Sequence, residues 1–448
     1  MSDLVESLSW VARAEVILVG CMLALLALAP KLENNPLATS ILGALGAVAA
    51  GACGVQASGV ARFALVVVAV GMVVAMLLLH TTELLDRRQR PEAAALVILG
   101  GLGAVVIVAS GTLLEIGVGV ELLSLSGATL VALGRGQRPL EAGFKYFLLS
   151  AATFAMFLFG MALVFLANGS FGLEALNEVF GPGRGVALAG SALMVMGLAF
   201  KLALMPVHFG ALDAYSAGPA GVIGFVMLVS KLGAAAGIAK IATGAGLSVQ
   251  QLLMGAGLVT IAFGVVASFA QTELRRLLAY SAVAHAGFLA LAAGNPKAAM
   301  PTALFYVVCY GAAALLAFAA LAGTASSAEG DERPLQRLGT GLGRARALAL
   351  LLALASLAGV PPLPGFWAKL AVLMATWKAF GPVPTALAAL GGVVGVIYYL
   401  RPTPDLLAQT KEHGPPLSLG VALALLVSTG VVVFLALAPG WGYWLASN

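Results

Sequence analysis

Long uninterrupted runs of apolar residues make up most of this chain, and short polar segments separate them. Within the runs, polar and apolar residues do not alternate as they would in the strands of a membrane β-barrel. A helix crosses the hydrocarbon core of a bilayer with about 20 apolar residues, and most of the runs reach that length. The pattern therefore predicts an all-α polytopic membrane protein.

The run boundaries predict about 14 transmembrane helices. An even number of spans places both termini on the same side of the membrane. The predicted spans cover residues 11–30, 37–56, 61–80, 92–110, 112–133, 141–167, 186–208, 220–241, 248–270, 277–293, 299–322, 345–377, 383–400 and 416–437.

The composition is that of a membrane protein rather than a soluble one. Apolar residues account for 61% of the chain and charged residues for 10%, against about 25% charged residues in soluble domains. This excludes a soluble enzyme, a disordered chain and a nucleic-acid-binding protein. Cys21, Cys53 and Cys309 each stand alone in an apolar run, so no disulfide, zinc site or iron–sulfur cluster is expected on this chain.

Lys and Arg are unequally divided between the loops on the two sides, and this division orients the chain. With the termini outside, the cytoplasmic loops hold Lys31, Arg87, Arg88, Arg90, Arg135, Arg138, Arg275, Arg276, Arg333, Arg337, Arg344, Arg346, Arg401 and Lys411. The opposite side holds only Arg13, Arg62, Arg184, Lys297 and Lys378. Because basic loops stay in the cytoplasm, both termini are predicted on the non-cytoplasmic side.

Proline and glycine interrupt two of the predicted spans. The seventh contains Met205-Pro206, and the twelfth contains Gly359 to Gly365 with three prolines. Proline removes a backbone donor and breaks a helix, and such breaks survive at membrane depth only inside protein or beside a wet cavity. The breaks lie five spans apart, and an odd offset reverses the direction of the chain. This indicates two inverted five-helix repeats, although two unrelated proline kinks would look the same.

The repeat divides the chain into four parts. They are a three-helix segment (1–91), a first repeat of helices 4–8 (92–241), a second repeat of helices 9–13 (248–400) and a C-terminal helix (401–448).

A few ionisable residues fall inside the predicted spans. They are Glu115, Glu121, Lys145, Lys201, Lys231 and Lys369, with His285 as a neutral candidate. A charge at the bilayer centre costs about 2.5–3.5 kcal/mol on insertion scales, so we expect the four lysines to face the protein interior. Such residues are functional candidates by default.

Proton transfer is the chemistry that these residues favour. Removal from water disfavours the charged form of a lysine, and a nearby carboxylate restores it, so a buried Lys with a Glu partner can act as a proton switch. We therefore predict that Glu121, Lys201, Lys231 and Lys369 act in proton transfer. His285 is a candidate bridge between lysines, or else a hydrogen-bonded packing residue.

Two further lysines lie near the ends of spans. Lys145 follows Glu141 by one helical turn, so it is either a sixth functional residue or a snorkelling side chain. Lys240 ends the eighth span and is expected to snorkel.

Six motifs follow one another in the spans. They are Glu121-Leu122-Leu123-Ser124-Leu125, Glu141 to Phe147, Phe200-Lys201 through Pro206-Val207-His208, Ser230-Lys231, Gln271 to Ser281 followed by His285, and Ala358 to Lys369. In order and spacing they resemble the antiporter-like membrane subunits of proton-pumping NADH:quinone oxidoreductase, respiratory complex I. The first motif and Lys at 369 favour the subunit N branch, called subunit 2 in mitochondria. The resemblance covers about residues 92–400.

The resemblance implies a proton-translocating subunit with no cofactor of its own, in a bacterial inner (plasma) membrane. FMN, iron–sulfur clusters and quinone would belong to partner subunits. Its partners would be other membrane-arm subunits, the lipid bilayer and protons, and not nucleic acid. Glu121, Lys201, Lys231 and Lys369 would form a charged axis, with His285 linking its two halves.

One departure from the family and two other functions stay open. Where the family has Trp-x-Pro-Asp after the seventh-span break, this chain has Phe209 to Asp213 without tryptophan or proline, so we expect a different cytoplasmic entrance. The same lysines also suit a subunit of a multisubunit cation/proton antiporter or of a membrane-bound hydrogenase. A scaffold that docks a pump without conducting protons would tolerate neutral residues at Lys201, Lys231 and Lys369.

Overall fold

The computed structural model describes residues 2–57, 59–79, 87–176, 183–324, 342–409 and 416–440. Within these ranges the chain forms eighteen α-helices and no β-strand. The helices are α1 (Ser2–Ala27), α2 (Ala29–Leu32), α3 (Pro36–Gln56), α4 (Gly59–Leu79), α5 (Arg90–Ala109), α6 (Leu113–Ala132), α7 (Gln137–Asn168), α8 (Arg184–Leu202), α9 (Phe209–Ala217), α10 (Ala220–Ala245), α11 (Leu247–Phe269), α12 (Leu274–Ala293), α13 (Ala299–Leu321), α14 (Arg344–Ala358), α15 (Pro364–Phe380), α16 (Pro382–Leu400), α17 (Thr403–Gln409) and α18 (Leu419–Leu437). Arg333, Arg337 and Lys411, predicted in cytoplasmic loops, lie outside the described residues.

Thirteen helices in the described ranges are long and apolar enough to cross a bilayer. They correspond to every predicted span except the twelfth. That span is divided between α14, with 15 residues, and α15, with 17 residues, and each is shorter than the about 20 residues that one crossing needs. The prediction of an all-α polytopic membrane protein is therefore confirmed, while the two inverted repeats stay a prediction.

Both predicted helix breaks are present in the structure. α8 ends at Leu202, and residues 203–208 connect it to α9. Ala203 follows this end in the left-handed conformation, with φ of 68°, which costs about 1–2 kcal/mol for a residue with a Cβ atom.

The second break separates α14 from α15. Gly359 follows the end of α14 with φ of 88°, a conformation that glycine adopts without strain. The backbone amides of Gly359 and Val360 both donate to the carbonyl of Ala355, at 3.1 and 3.0 Å. Where α15 starts, a Cβ atom at Gly365 would overlap the carbonyl oxygen of Ser356, so the two short helices meet as closely as backbones can.

The helices sort into a buried centre and a lipid-facing rim. α10 and α13 pack against each other and are buried along their whole membrane length, and most of α12 is buried as well. α7, α16 and α18 expose one apolar face, on which Leu166, Val393 and Leu437 are among the most exposed side chains. In a bilayer, apolar faces of this kind are compatible with lipid tails, which are as apolar as leucine.

A pair of glycines allows α11 and α12 to approach closely. A Cβ atom built on Gly257 would lie 2.8 Å from the carbonyl oxygen of Gly287, and one on Gly287 would lie 2.5 Å from that of Gly257. Small residues permit such approach between membrane helices, where packing rather than hydrophobic burial drives association. This contact holds α12 in place at the centre of the molecule.

The Gly257 contact can be tested with one methyl group. Gly257→Ala should lower the stability of the chain by about 1–3 kcal/mol, because the carbonyl of Gly287 leaves no room for a Cβ atom. Gly255→Ala is the matched control, since it lies on the same helix and its Cβ would meet nothing within 4 Å. Thermal unfolding of both variants in detergent is the measurement. Equal melting temperatures would contradict the close approach.

Candidate functional site

Lys201 lies next to the last residue of α8, and its side chain points into the protein. The side chain is 2% exposed. Its ammonium group donates to Ser150 Oγ at 2.8 Å and to Tyr146 Oη at 3.3 Å, both on α7, and it lies 4.6 Å from the centre of the Tyr146 ring. Within the described part of the chain, no carboxylate forms an ion pair with it. Two hydroxyl groups, rather than a counter-ion, hold this charge.

Lys231 lies near the middle of α10 and is completely buried. Its ammonium group donates to the carbonyl of Leu202 at 2.8 Å and to the carbonyl of Ala282 at 3.1 Å. Leu202 is the last residue of α8, and the carbonyls of a final helical turn have no partner within their own helix. Lys231 therefore satisfies a carbonyl that the first helix break leaves free, and it ties α8 and α10 to α12.

Lys369 has the same relation to the second break. It lies in the second turn of α15, and its half-buried side chain reaches back to α14. Its ammonium group donates to the carbonyls of Leu357 and Ala358 at 3.0 and 2.8 Å. These are the last two residues of α14, whose C-terminus carries the negative end of the helix dipole. A cation at that position is stabilised by the dipole as well as by the hydrogen bonds.

His285 lies on α12 between two tyrosine hydroxyl groups. Its Nδ1 is 2.7 Å from Tyr306 Oη on α13, and its Nε2 is 3.1 Å from Tyr399 Oη on α16. All three side chains are buried. These contacts hold His285 in place by hydrogen bonds, and its role as a bridge between lysines stays a prediction.

Glu121 is half-buried on α6 and lies beside the lysines rather than in contact with them. It interacts electrostatically with Lys201, but among the described residues the two side chains form no hydrogen bond and no ion pair. Without a direct contact, the carboxylate of Glu121 can influence the charge of Lys201 through space but does not neutralise it.

The expectation that Lys145 faces the protein interior is wrong for this chain. Its side chain is 50% exposed and pairs with Glu141 at 2.7 Å, in the expected spacing of one turn. A second carboxylate, Asp213 on α9, lies 3.6 Å away. These groups line a polar cavity of about 170 Å³ together with Arg138 and Arg276. Because the carboxylates of Glu141 and Asp213 offset its positive charge, Lys145 is stable at this exposed position.

Two cations have structural roles that the sequence did not indicate. Lys240 does not snorkel: its ammonium group donates to the carbonyls of Ile107, Val108 and Ser110 at 3.1, 2.8 and 2.6 Å. These carbonyls end α5, so Lys240 satisfies them as Lys231 and Lys369 satisfy others. Only the tertiary packing of α10 against α5 brings the lysine to this position.

Arg275, part of the motif Gln271 to Ser281, binds the carbonyls that end α9. Its side chain is buried, and its guanidinium donates to the carbonyls of Tyr215 and Gly218. Its place at the start of an apolar span, next to Arg276, suggested a loop charge instead. The carbonyl partners lie about sixty residues away in sequence, so no local signal could have identified them.

The arrangement suits proton transfer. Among the described residues, no group of three or more His, Cys, Asp or Glu side chains could hold a metal ion. Lys201, Lys231, His285 and Lys369 can each bind and release a proton, and hydroxyl or carbonyl oxygens surround them.

Comparisons with known proteins place this chain among respiratory membrane subunits. The sequence model described as "NADH:quinone oxidoreductase/Mrp antiporter, TM" matches residues 110–395. NADH-quinone oxidoreductase subunit N of Deinococcus radiodurans is 34% identical over an alignment of 403 residues that covers 85% of this chain and 80% of the relative. NADH-quinone oxidoreductase subunit 14 of Thermus thermophilus is 38% identical over an alignment of 366 residues that covers 80% of each chain. A chain in the structure of respiratory complex I from Thermus thermophilus with bound aureothin superposes with a TM-score of 0.80 and 32% identity, over 97% of this chain and 100% of that one.

The structural role of Lys240 gives a direct prediction. Lys240→Met should lower the stability of the chain by about 2 kcal/mol or more, because it leaves buried carbonyls of α5 without a donor. Lys297→Met, which removes an exposed lysine, is the control and should melt like the wild type. Thermal unfolding in detergent measures both. A Lys240→Met chain as stable as its control would show that the carbonyls find other partners.

Proposed function

Because the chain belongs to the NADH:quinone oxidoreductase/Mrp antiporter membrane family, we propose that it is a proton-translocating membrane subunit of an NADH:quinone oxidoreductase. The names of its relatives support the assignment to an oxidoreductase. The observation that carries the proton-translocating role is that Lys201, Lys231 and Lys369 bring charge into the membrane without an ion-paired carboxylate in the described part of the chain.

Each lysine exchanges its proton in this proposal. Burial without a counter-ion removes the usual stabilisation of an ammonium group by water or by a carboxylate. Each side chain can therefore exist with or without its proton, and quinone reduction elsewhere in the complex drives the change. Lys201 and Lys231 serve the half that contains the first break, Lys369 serves the second, and His285 connects them.

The two remaining predicted residues, Glu121 and Lys145, influence this path without lying between the lysines. Glu121 modulates the charge of Lys201 through space. Lys145, with Glu141 and Asp213, lines the exposed polar cavity at the start of α7, and we assign it to the cytoplasmic entrance, where carboxylates collect protons. The sequence departure between Phe209 and Asp213 falls in the same region.

The redox chemistry belongs to other subunits. FMN, iron–sulfur clusters and quinone are assigned to partner chains, because the chemistry of the residues gathered on this chain is that of proton transfer. Its direct partners are then other membrane-arm subunits and the surrounding lipid. We place the chain in the bacterial plasma membrane with both termini outside, as the distribution of basic loops favours.

Native purification tests the assignment to an oxidoreductase. A tagged chain, isolated in mild detergent, should bring with it subunits that contain flavin and iron–sulfur clusters, and the preparation should reduce quinone with NADH. Companions that are all membrane proteins without redox absorbance would contradict the assignment. They would favour the cation/proton antiporter, and sodium-dependent transport would then be the decisive measurement.

Replacement of the lysines tests the proton path. Lys201→Ala and Lys231→Ala should each leave the complex assembled but lower proton pumping coupled to quinone reduction by about tenfold or more, because a required proton carrier is lost. Lys231→Arg should fail as well, since arginine does not release its proton. Pumping is measured in proteoliposomes with a pH-sensitive dye.

Lys240→Arg is the matched control on the same helix. Arginine can still donate to the carbonyls that end α5, so this variant should pump at the wild-type rate. Wild-type pumping by the assembled Lys201→Ala and Lys231→Ala complexes would refute the transport role. Full activity of Lys231→Arg would show that Lys231 acts as a fixed structural cation.

A further inference from the structure

Both ring nitrogens of His285 are bound by tyrosine hydroxyl groups from two other helices. Tyr306 reaches Nδ1 from α13, and Tyr399 reaches Nε2 from α16, at 2.7 and 3.1 Å. A neutral imidazole has one donor and one acceptor nitrogen, while a tyrosine hydroxyl can donate or accept. Either tautomer of His285 therefore keeps both hydrogen bonds, provided that the two hydroxyl groups rotate.

The three side chains lie between the two helix breaks. On one side, Lys231 donates to the carbonyl of Ala282, one turn before His285 on α12. On the other side, Lys369 lies 5.9 Å from the centre of the Phe288 ring, and that ring stacks on Tyr306 at 5.9 Å. Lys231 and Lys369 both interact electrostatically with the imidazole.

We propose that Tyr306 and Tyr399 are proton-relay residues that pass protons to and from His285. The proposal rests on the proposed function, since it adds two carriers to the path between Lys231 and Lys369. Neither tyrosine stands out in the sequence, because the residues directly before and after each are apolar or aromatic.

The relay conserves protons at each step. When Nδ1 carries the imidazole proton, it donates to Tyr306 Oη, and Tyr399 donates its hydroxyl proton to Nε2. A proton that arrives at Tyr399 Oη lets the hydroxyl proton pass to Nε2. The imidazolium then releases its Nδ1 proton to Tyr306, whose own hydroxyl proton leaves. One proton enters, one leaves, and His285 is neutral again as the other tautomer. Reorientation of the imidazole ring, with rotation of both hydroxyl groups, resets the relay without returning the proton along the path.

Tyr310 packs against the ring of His285 without forming a hydrogen bond to it. It lies one turn after Tyr306 on α13, is 4% exposed, and its ring centre is 4.8 Å from that of His285. Its hydroxyl oxygen makes no hydrogen bond to any described group. Tyr310→Phe therefore removes a buried hydroxyl from the same surroundings without removing a hydrogen bond to His285.

The experiment compares Tyr306→Phe, Tyr399→Phe and Tyr310→Phe in the assembled complex. Phenylalanine keeps the ring and removes only the hydroxyl. We expect the first two variants to pump about tenfold more slowly than the wild type and to show a larger slowing in D2O. The Tyr310→Phe complex should behave like the wild type. Wild-type pumping by both Tyr306→Phe and Tyr399→Phe would overturn the proposal, and so would equal losses in all three variants.

Lys231→Ala, measured in parallel, separates this inference from the proposed function. Normal pumping by Lys231→Ala would refute the proton path itself. Loss of pumping in Lys231→Ala with normal pumping in the tyrosine variants would refute only the relay. If Tyr306→Phe fails to assemble, a fluorotyrosine at position 306 keeps the hydroxyl but makes it more acidic. The pH profile of pumping should then shift, and an unchanged profile would overturn the proposal.

Discussion

The backbone carbonyls at helix ends inside the membrane are the constraint on which the rest of this structure depends. No bulk water reaches the core of the bilayer, so a carbonyl freed by a helix end must find a donor within the protein. In the described part of the chain, Lys231 and Lys369 donate to carbonyls at the two breaks within the spans. Lys240 and Arg275 donate to the carbonyls that end α5 and α9. Lys369 joins two successive helices, and the long side chains of the other three cations join helices that are far apart in sequence.

In this arrangement, Lys231 and Lys369 are both structural cations at helix ends and candidate proton carriers. A cation at a helix C-terminus is stabilised by the dipole and by its hydrogen bonds, which explains how Lys231 and Lys369 are tolerated. Lys201 differs, because its partners are the hydroxyl groups of Tyr146 and Ser150 rather than carbonyls of a helix end. Capping therefore does not account for Lys201, and it is the lysine whose burial argues most directly for proton exchange.

The central helices bring both breaks to one place. α10, α12 and α13 are buried on nearly all sides, so their polar groups must find partners within the protein. Lys231 on α10, His285 on α12 and Tyr306 on α13 form that meeting point. The outer helices shield it from lipid with apolar faces, and small residues such as Gly257 and Gly287 let them pack without a gap. A proton path needs this exclusion of water to keep protons from leaking.

The sequence alone determined the all-α membrane fold, the two breaks and the burial of Lys201 and Lys231, because each depends on local properties: the length of an apolar run, the missing donor of proline, and the cost of a charge in lipid. It also located His285. The tertiary structure alone decided what each charged group touches. Lys145 turned out to be exposed beside Asp213, Lys240 to bind the end of α5, and Tyr306 and Tyr399 to hold His285. These partners lie on other helices, and only the packing of whole helices brings them within hydrogen-bond reach.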